Sequence, residues 1–451
     1  MKWLDKLGSV VRILGGILLD ARHPVSLEVG VEWGHNFRLI LRALFWVGVL
    51  FPGLARAERP PIKVGVLFQL TGPAAELGRH GSQGVKMAEK EINERGGILG
   101  RKLEVLLTDE GDATTGVLEV RRYILQDRVD FLVGVNVSSV ALAVSMEAKK
   151  HRKIILFTHA ATGQLTGTWC HRYAFRLVAN AVMDARAGAS LMKDKLGKRW
   201  YGIGEDSEYG RDSWEAFQAA IRKVKPEVQF VGESWPKPFT TDYTPFIHEA
   251  MQAKPDAVWS TLWGGDLVAF IRMAKSLDFF EQVKFFVNPG GASLGVLGPL
   301  GDEMPGGLWV STPYWFRYPA SVNNRVFVKA YRTLYGEDPA DVALSSYSTM
   351  YVLRQAIEEV GSLDTERIVA TLEGITYHDP EGVKMIRRED HQVIEDVVWG
   401  RTTESDEYPF RVLDDLVIVP GKEIVRSVEE TGCQMEGRGG SRPRVRRKRD
   451  D

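Results

Sequence analysis

At 451 residues the chain is too long for one ordinary domain and suits two, each able to bury a core of its own. Apolar residues at 44% and charged residues at 26% exclude a disordered chain and one embedded in a membrane. A net charge of −1 gives no broad basic face for nucleic acid or an anionic membrane surface, so composition points to small partners.

Residues 37–54 read FRLILRALFWVGVLFPGL, with Arg38 and Arg42 ahead of an apolar run from Ala43 to Phe51. Pro52-Gly53 and the small-x-small triplet Ala55-Arg56-Ala57 follow. This is the pattern of an export signal cut after Ala57, which places the mature chain in the periplasm. A membrane anchor is the competing reading, but the apolar stretch is well short of the roughly 20 residues a span needs. No cysteine lies beside the cut to carry a lipid. Upstream there is only an amphipathic patch at 10–19, and a start at Val29 or Val31 would leave residues 1–28 out of the natural product.

From Ile62 onward, short apolar runs alternate with helical spacing. IKVGVLF (62–68) is a strand, ending in a turn at Gln69-Leu70-Thr71-Gly72-Pro73. Val85, Ala88 and Ile92 share one face of a helix over Gly81 to Arg95, which Gly96-Gly97 closes. Strand 102–109, helix 115–126, strand 130–135, helix 139–151 and strand 153–158 complete a first series. A second follows as helix 182–195, strand 199–206, helix 210–223, strand 228–235, helix 243–252, strand 256–263, helix 266–276 and strand 283–290. Strand 307–315, helices near 322–335 and 344–360, and a β region at 382–399 come last. Such alternation implies parallel sheets covered by helices, here an α/β fold of two Rossmann-like lobes. No Pro- or Gly-rich linker separates the series, so several short crossings should join them. Residues 427–451, ending in GRGGSRPRVRRKRDD, are expected to be a disordered tail. Cys170 and Cys433 are the only cysteines, and the compartment allows them to pair, although spacing does not decide whether they meet.

In open α/β sheets, ligands bind beyond the carboxyl ends of the strands. Those positions carry Asn136-Val137-Ser138-Ser139, His159-Ala160-Ala161-Thr162, Ser207-Glu208-Tyr209-Gly210 and Gly264-Gly265-Asp266. Ser138 or Ser139 at a helix N-terminus makes an anion site with the backbone N–H groups, and Thr162 adds a hydroxyl. Ser139 and Asp266 also read as helix caps, and Thr162 and Tyr209 as turn and packing residues.

The chain resembles the leucine/isoleucine/valine-binding family of periplasmic solute receptors, from about Ile62 to Ile418. The motifs are LFQLTGPAAELGRHGSQG (67–84), EINERGGILGRKLEV (91–105), GVNVSSVALAV (134–144), HAATGQLTG (159–167), FR (175–176), EDSEYGRD (205–212) and EDHQ (389–392). The resemblance implies a type I periplasmic-binding-protein fold with lobes joined by a multi-stranded hinge. Lobe 1 would be 58–178 and 290–395, and lobe 2 would be 179–289 and 396–426. It also implies a monomeric receptor without cofactor or metal, passing a small ligand to the permease subunits of an ABC importer. For the ligand, a branched-chain amino acid first of all, it implies contacts from Ser138, Ser139, Ala160, Thr162, Asn180, Tyr209 and Asp266, the last pairing with the ammonium. Departures fall at Leu77, 179–184 and 263–265, so amides, urea and aromatic acids stay open, as does a sensor on the same fold.

Enzyme motifs are poorly formed. Gly291-Ala292-Ser293-Leu294-Gly295 matches a nucleophile elbow, but Gly298-Pro299 leave little room for the helix such a site needs, and a glycine-rich loop is expected. Residues 206–212 miss the register of a calcium loop, no H-E-x-x-H occurs, and strand 62–68 lacks a G-x-G-x-x-G.

Overall fold

Why these residues build two sheets is clearest from the strands. β1 (Ile62–Phe68), β2 (Leu103–Asp109), β3 (Phe131–Gly134), β4 (Ile155–Phe157) and β5 (Ala174–Arg176) are short and mostly buried, and all pair in parallel in the order β2-β1-β3-β4-β5. Buried runs of this kind belong to sheets covered on both faces. The computed structural model describes residues 59–435 except 196. The proposed signal peptide and its cut, the expendable 1–28 segment and the basic end of the tail all lie outside the described residues.

The helices of the first lobe are α1 (Ala75–Glu94), α2 (Ala113–Arg122) and α3 (Ser138–Lys150). α1 begins six residues before the predicted start, because Gly78 lies within it, as Gly81 and Gly84 do, rather than ahead of it. Their role is close approach. A Cβ on Gly78 would lie 1.8 Å from the Gln69 carbonyl oxygen. One on Gly84 would lie 2.1 Å from the Ala343 carbonyl oxygen. The predicted helix 115–126 splits into α2 and a π-turn (Tyr123–Asp127), where the Tyr123 hydroxyl donates to the Leu106 carbonyl at 2.7 Å.

The second lobe holds α4 (Ala181–Met192), β6 (Arg199–Ile203), α5 (Glu208–Val224), β7 (Gln229–Ser234), α6 (Thr244–Gln252), β8 (Ala257–Ser260), α7 (Gly264–Ser276), α8 (Phe279–Gln282), β9 (Phe285–Asn288), α9 (Leu294–Leu300) and β10 (Trp309–Thr312). After it come α10 (Val322–Tyr335), α11 (Asp341–Val360), α12 (Thr365–Leu372), β11 (Thr376–Asp379), β12 (Gly382–Ile386), β13 (Val393–Ile394), β14 (Val397–Thr403) and β15 (Val412–Val419). The second sheet runs β15-β14-β10-β9-β8-β6-β7, with β14 alone reversed and so antiparallel to both β10 and β15. β11, β12 and β13 make a small antiparallel sheet.

Three sequence expectations need correction here. β10 pairs in parallel with β9, so the chain stays in the second lobe through Thr312 and does not return to the first at 290. A helix, α9, does follow Ser293, with Pro299 inside it, where a glycine-rich loop was expected. Residues 427–435 are ordered, not a disordered tail: Ser427 and Glu430 form a capping box, and Cys433 bonds Cys170 across 263 residues.

The crossings between lobes are short, as the missing linker suggests. They fall at 177–180, at 313–321 and at 395–396. EDHQ (389–392) stands at this hinge, with the His391 ring stacked on Phe175 at 4.0 Å between centroids.

Two outcomes are expected. Gly84→Ala should lower stability by about 1–3 kcal/mol, because α1 and α11 must part to admit a methyl against backbone. Removing the disulfide, by reduction or by Cys433→Ser, should lower it by about 2–4 kcal/mol. Denaturant midpoints of oxidised, reduced and variant protein check both.

Candidate functional site

The segments that leave the carboxyl ends of β1, β3 and β4 face those that leave β6, β8 and β9 across a cavity of about 510 Å3. The first set contributes Gln69, Asn136–Ser139, His159 and Ala161, and the second Glu205–Tyr209, Trp263 and Pro289. Ligand sites of open α/β sheets occupy this place.

One wall is a helix N-terminus built on strained backbone. The chain leaves β3 through Gly134 (φ +117°) and Val135 (φ +71°), a left-handed conformation that a β-branched residue adopts only when held there. The Val135 N–H donates to the Leu67 carbonyl at 2.7 Å, and its own carbonyl accepts from Ala160 at 3.0 Å. The N–H groups of Asn136 and Val137 then donate to the buried Glu110 carboxyl at 2.8 and 2.9 Å. Burial pushes that carboxyl up to about 8 against the pull of those two donors. So held, the turn aims the N-terminus of α3 at the cavity with Ser138 and Ser139 on its wall. The first N–H groups of a helix have no partner within it and attract a carboxylate. The Asn136 side chain accepts from the Gln69 N–H at 2.9 Å, while its amide nitrogen has no partner among the described residues.

Of the residues chosen from sequence, Ser138, Ser139 and Tyr209 reach the wall, and the other four do not. Ala160 is buried among apolar side chains, and its neighbour Ala161 takes the place on the wall. The Thr162 hydroxyl donates to Asp212 of α5, and its N–H to the Ser138 hydroxyl at 3.2 Å. Asn180 caps α4, accepting from Val182 and Met183 at 3.0 and 3.1 Å, and its amide donates to Gln392. Asp266 accepts from the Phe239 N–H at 2.9 Å. Because α7 starts at Gly264 and not at 266, Asp266 falls within the first turn and is spent on that loop.

The acids on the wall are others. Asp184 (8% exposed), Glu205 (5%) and Asp341 (6%) are buried, and Asp112, Asp206 and Glu208 stand at the margin. Among the described residues, no lysine or arginine lines the cavity. Glu205 accepts from the Trp263 indole N–H and from Ser207. Asp341 begins α11 and accepts from the Ser293 hydroxyl at 3.4 Å. The Asp184 carboxyl has no hydrogen-bond or ion-pair partner among the described residues. Burial is the first cause that raises all three carboxyls, and it takes Asp184 to about 7. Sequence offered weak signals for them: Glu205 opens the EDSEYGRD motif, while Asp184 and Asp341 sit in first turns, where acids are common as caps.

Hydrolytic chemistry lacks its base. Ser293 stands at the N-terminus of α9 with Asp341 as partner, and no described histidine hydrogen-bonds to it. Nor is any group of three His, Cys, Asp or Glu placed to hold a metal among the described residues.

Residues 61–406 match the family described as periplasmic binding protein. The chain belongs to that family. Its members are receptors for small solutes outside the cytoplasm, working with ABC permeases, and are not enzymes. Among relatives, the Leu/Ile/Val-binding protein homolog 4 of Brucella abortus is 26% identical over 410 residues, covering 86% of this chain and 95% of that protein. The leucine-, isoleucine-, valine-, threonine- and alanine-binding protein of Pseudomonas aeruginosa is 22% identical over 331 residues, covering 71% and 84%. The solved amino acid ABC transporter substrate-binding protein of Pseudomonas fluorescens Pf-5 aligns with a TM-score of 0.73 at 24% identity, over 84% of this chain and all of that one. A Rhodopseudomonas palustris BisB5 solute-binding protein in complex with 3,4-dihydroxybenzoic acid aligns at 0.72 and 20%, over 80% and 98%. No described helix is long and apolar enough to cross a membrane.

Glu110→Ala would leave the buried Asn136 N–H and the half-buried Val137 N–H without an acceptor, a cost of about 1–3 kcal/mol for the buried one. The expected outcome is a lower unfolding midpoint together with weaker ligand capture, read by denaturation and calorimetry on one preparation.

Proposed function

We propose that this receptor captures an amino acid between its lobes, after export with a cut following Ala57, and delivers it as a monomer to an ABC permease. The observation that carries the reading is the opposition of two unlike walls. A helix N-terminus with Ser138 and Ser139 suits a carboxylate, and across the cavity the unpartnered Asp184 and the neighbouring Glu205 and Tyr209 suit an ammonium. Asp184 and Glu205 thus replace Asp266 in the role assigned from sequence. A buried ionic group must be paired or it costs several kcal/mol, and a zwitterion pairs with both walls at once. The names of the relatives make branched-chain amino acids the first class to screen.

An aromatic acid is the poorer fit. It brings a carboxylate and no cation to a wall without lysine or arginine. Thermal-shift screening should therefore give amino-acid hits and none for benzoates, and Asp184→Asn should abolish most of the shift. A benzoate hit without any amino-acid hit refutes the proposal.

The pH dependence has a definite sign. Asp184 attracts an ammonium only when ionised, and its carboxyl is raised to about 7, first by burial, then by Glu395 and Asp341, with Arg176 pulling it down. Affinity should hold at pH 8 and fall as pH drops through about 7. Calorimetry at pH 8 and 6 reads the change, and an affinity that rises on acidification contradicts the role.

A further inference from the structure

The charge on the cavity wall exceeds what a neutral amino acid needs. A zwitterion with an apolar side chain has no net charge. Its carboxylate goes to the α3 N-terminus and its ammonium to one acid of the second lobe. That leaves buried carboxylates facing a hydrocarbon side chain, an arrangement that is costly in a cavity without lysine or arginine.

We infer that the preferred ligand carries net positive charge, as an α-amino acid whose side chain ends in a second cation. This rests on the receptor reading above and goes past it to the side-chain end. Ser293 and Leu77 bracket Gly295 there: a Cβ on that glycine would lie 3.7 Å from the Ser293 hydroxyl oxygen and 3.9 Å from a Leu77 methyl. Asp341 is the next group, 3.4 Å from the Ser293 hydroxyl, and His159 acts on it electrostatically from the same wall. An aliphatic stem lies along Leu77 and its cationic head meets Asp341 and Ser293.

A second observation points the same way. With the Asp184 carboxyl, which has no hydrogen-bond or ion-pair partner among the described residues, taking the α-ammonium, the buried Glu205 and Asp341 remain on the wall for a second cation. Trp263 lines the same cavity with its indole N–H held by Glu205, and Phe239 lies on that wall too. Aromatic faces attract cations and give carboxylates nothing.

The test is calorimetry on the full chain with lysine, norleucine, leucine and cadaverine. Lysine and norleucine share a four-carbon stem and differ in the terminal ammonium, while cadaverine keeps both cations and lacks the carboxylate. The expected order has lysine about tenfold or more tighter than norleucine, with cadaverine weaker than lysine. The lysine-to-norleucine ratio should shrink about tenfold in Asp341→Asn and move the same way in Ser293→Ala, a milder change that tests the point should the first variant fail to fold. Norleucine or leucine binding as tightly as lysine overturns the inference and leaves the receptor reading intact. Cadaverine binding more tightly than lysine overturns the carboxylate site, and with it both readings. Binding by none of the four also overturns both.

Discussion

The amide of Gln392 is buried and uses every hydrogen-bonding position it has, and the relation of the two lobes depends on it. Its nitrogen donates to the carbonyls of Val178 and Val393 at 2.8 and 3.0 Å, and its oxygen accepts from Asn180 and Thr166, both at 2.9 Å. Val178 and Asn180 lie on one crossing between the lobes, and Val393 leads into another. The neighbouring Glu395 accepts from the Ala179 N–H and pairs with Lys384, which also pairs with Asp379 at 3.0 Å. Two stretches of chain that cross together are thereby tied to one another.

Register at the hinge sets what meets in the cleft. With the crossings fixed, the loop after β4 reaches α5, where Thr162 and the Gly163 N–H both bond Asp212. The C-terminal segment runs over the same region, as Arg426 donates to the Gly163 carbonyl at 2.7 Å and Cys433 is bonded to Cys170. Thr162 therefore bonds from one lobe to the other and is not among the residues on the cavity wall. The hydroxyl-bearing residues on the cavity wall are Ser138 and Ser139 of the α3 turn, Ser207, Tyr209 and Ser293.

The acids of the cleft show the electrostatic consequence. Carboxylates at Asp184, Glu205 and Asp341 are held out of water with few donors, so burial raises each of them. Arg176 is fully buried beside the hinge and pulls Asp184 down, but its guanidinium donates to the Thr162 carbonyl and does not line the cavity. Perturbed carboxyls gathered in a cavity are a common mark of a functional site.

Much of this was legible in the sequence. Alternating buried runs and helical spacing determined the α/β fold, and they placed the Asn-Val-Ser-Ser turn after a strand at the cavity, because both follow from local chain chemistry. Helix starts at Ala75 and Gly264 were misplaced because glycine reads as a break until a neighbouring backbone is seen to require it. The choice of acid was beyond sequence for a related reason. Asp184, Asp266 and Asp341 all stand in first turns of helices, where a cap and a ligand contact look alike. Only the tertiary structure decided that Asp266 turns to the Phe239 loop while Asp184 and Asp341 face the cavity, since the direction of a side chain depends on the phase of its helix and on what packs against it.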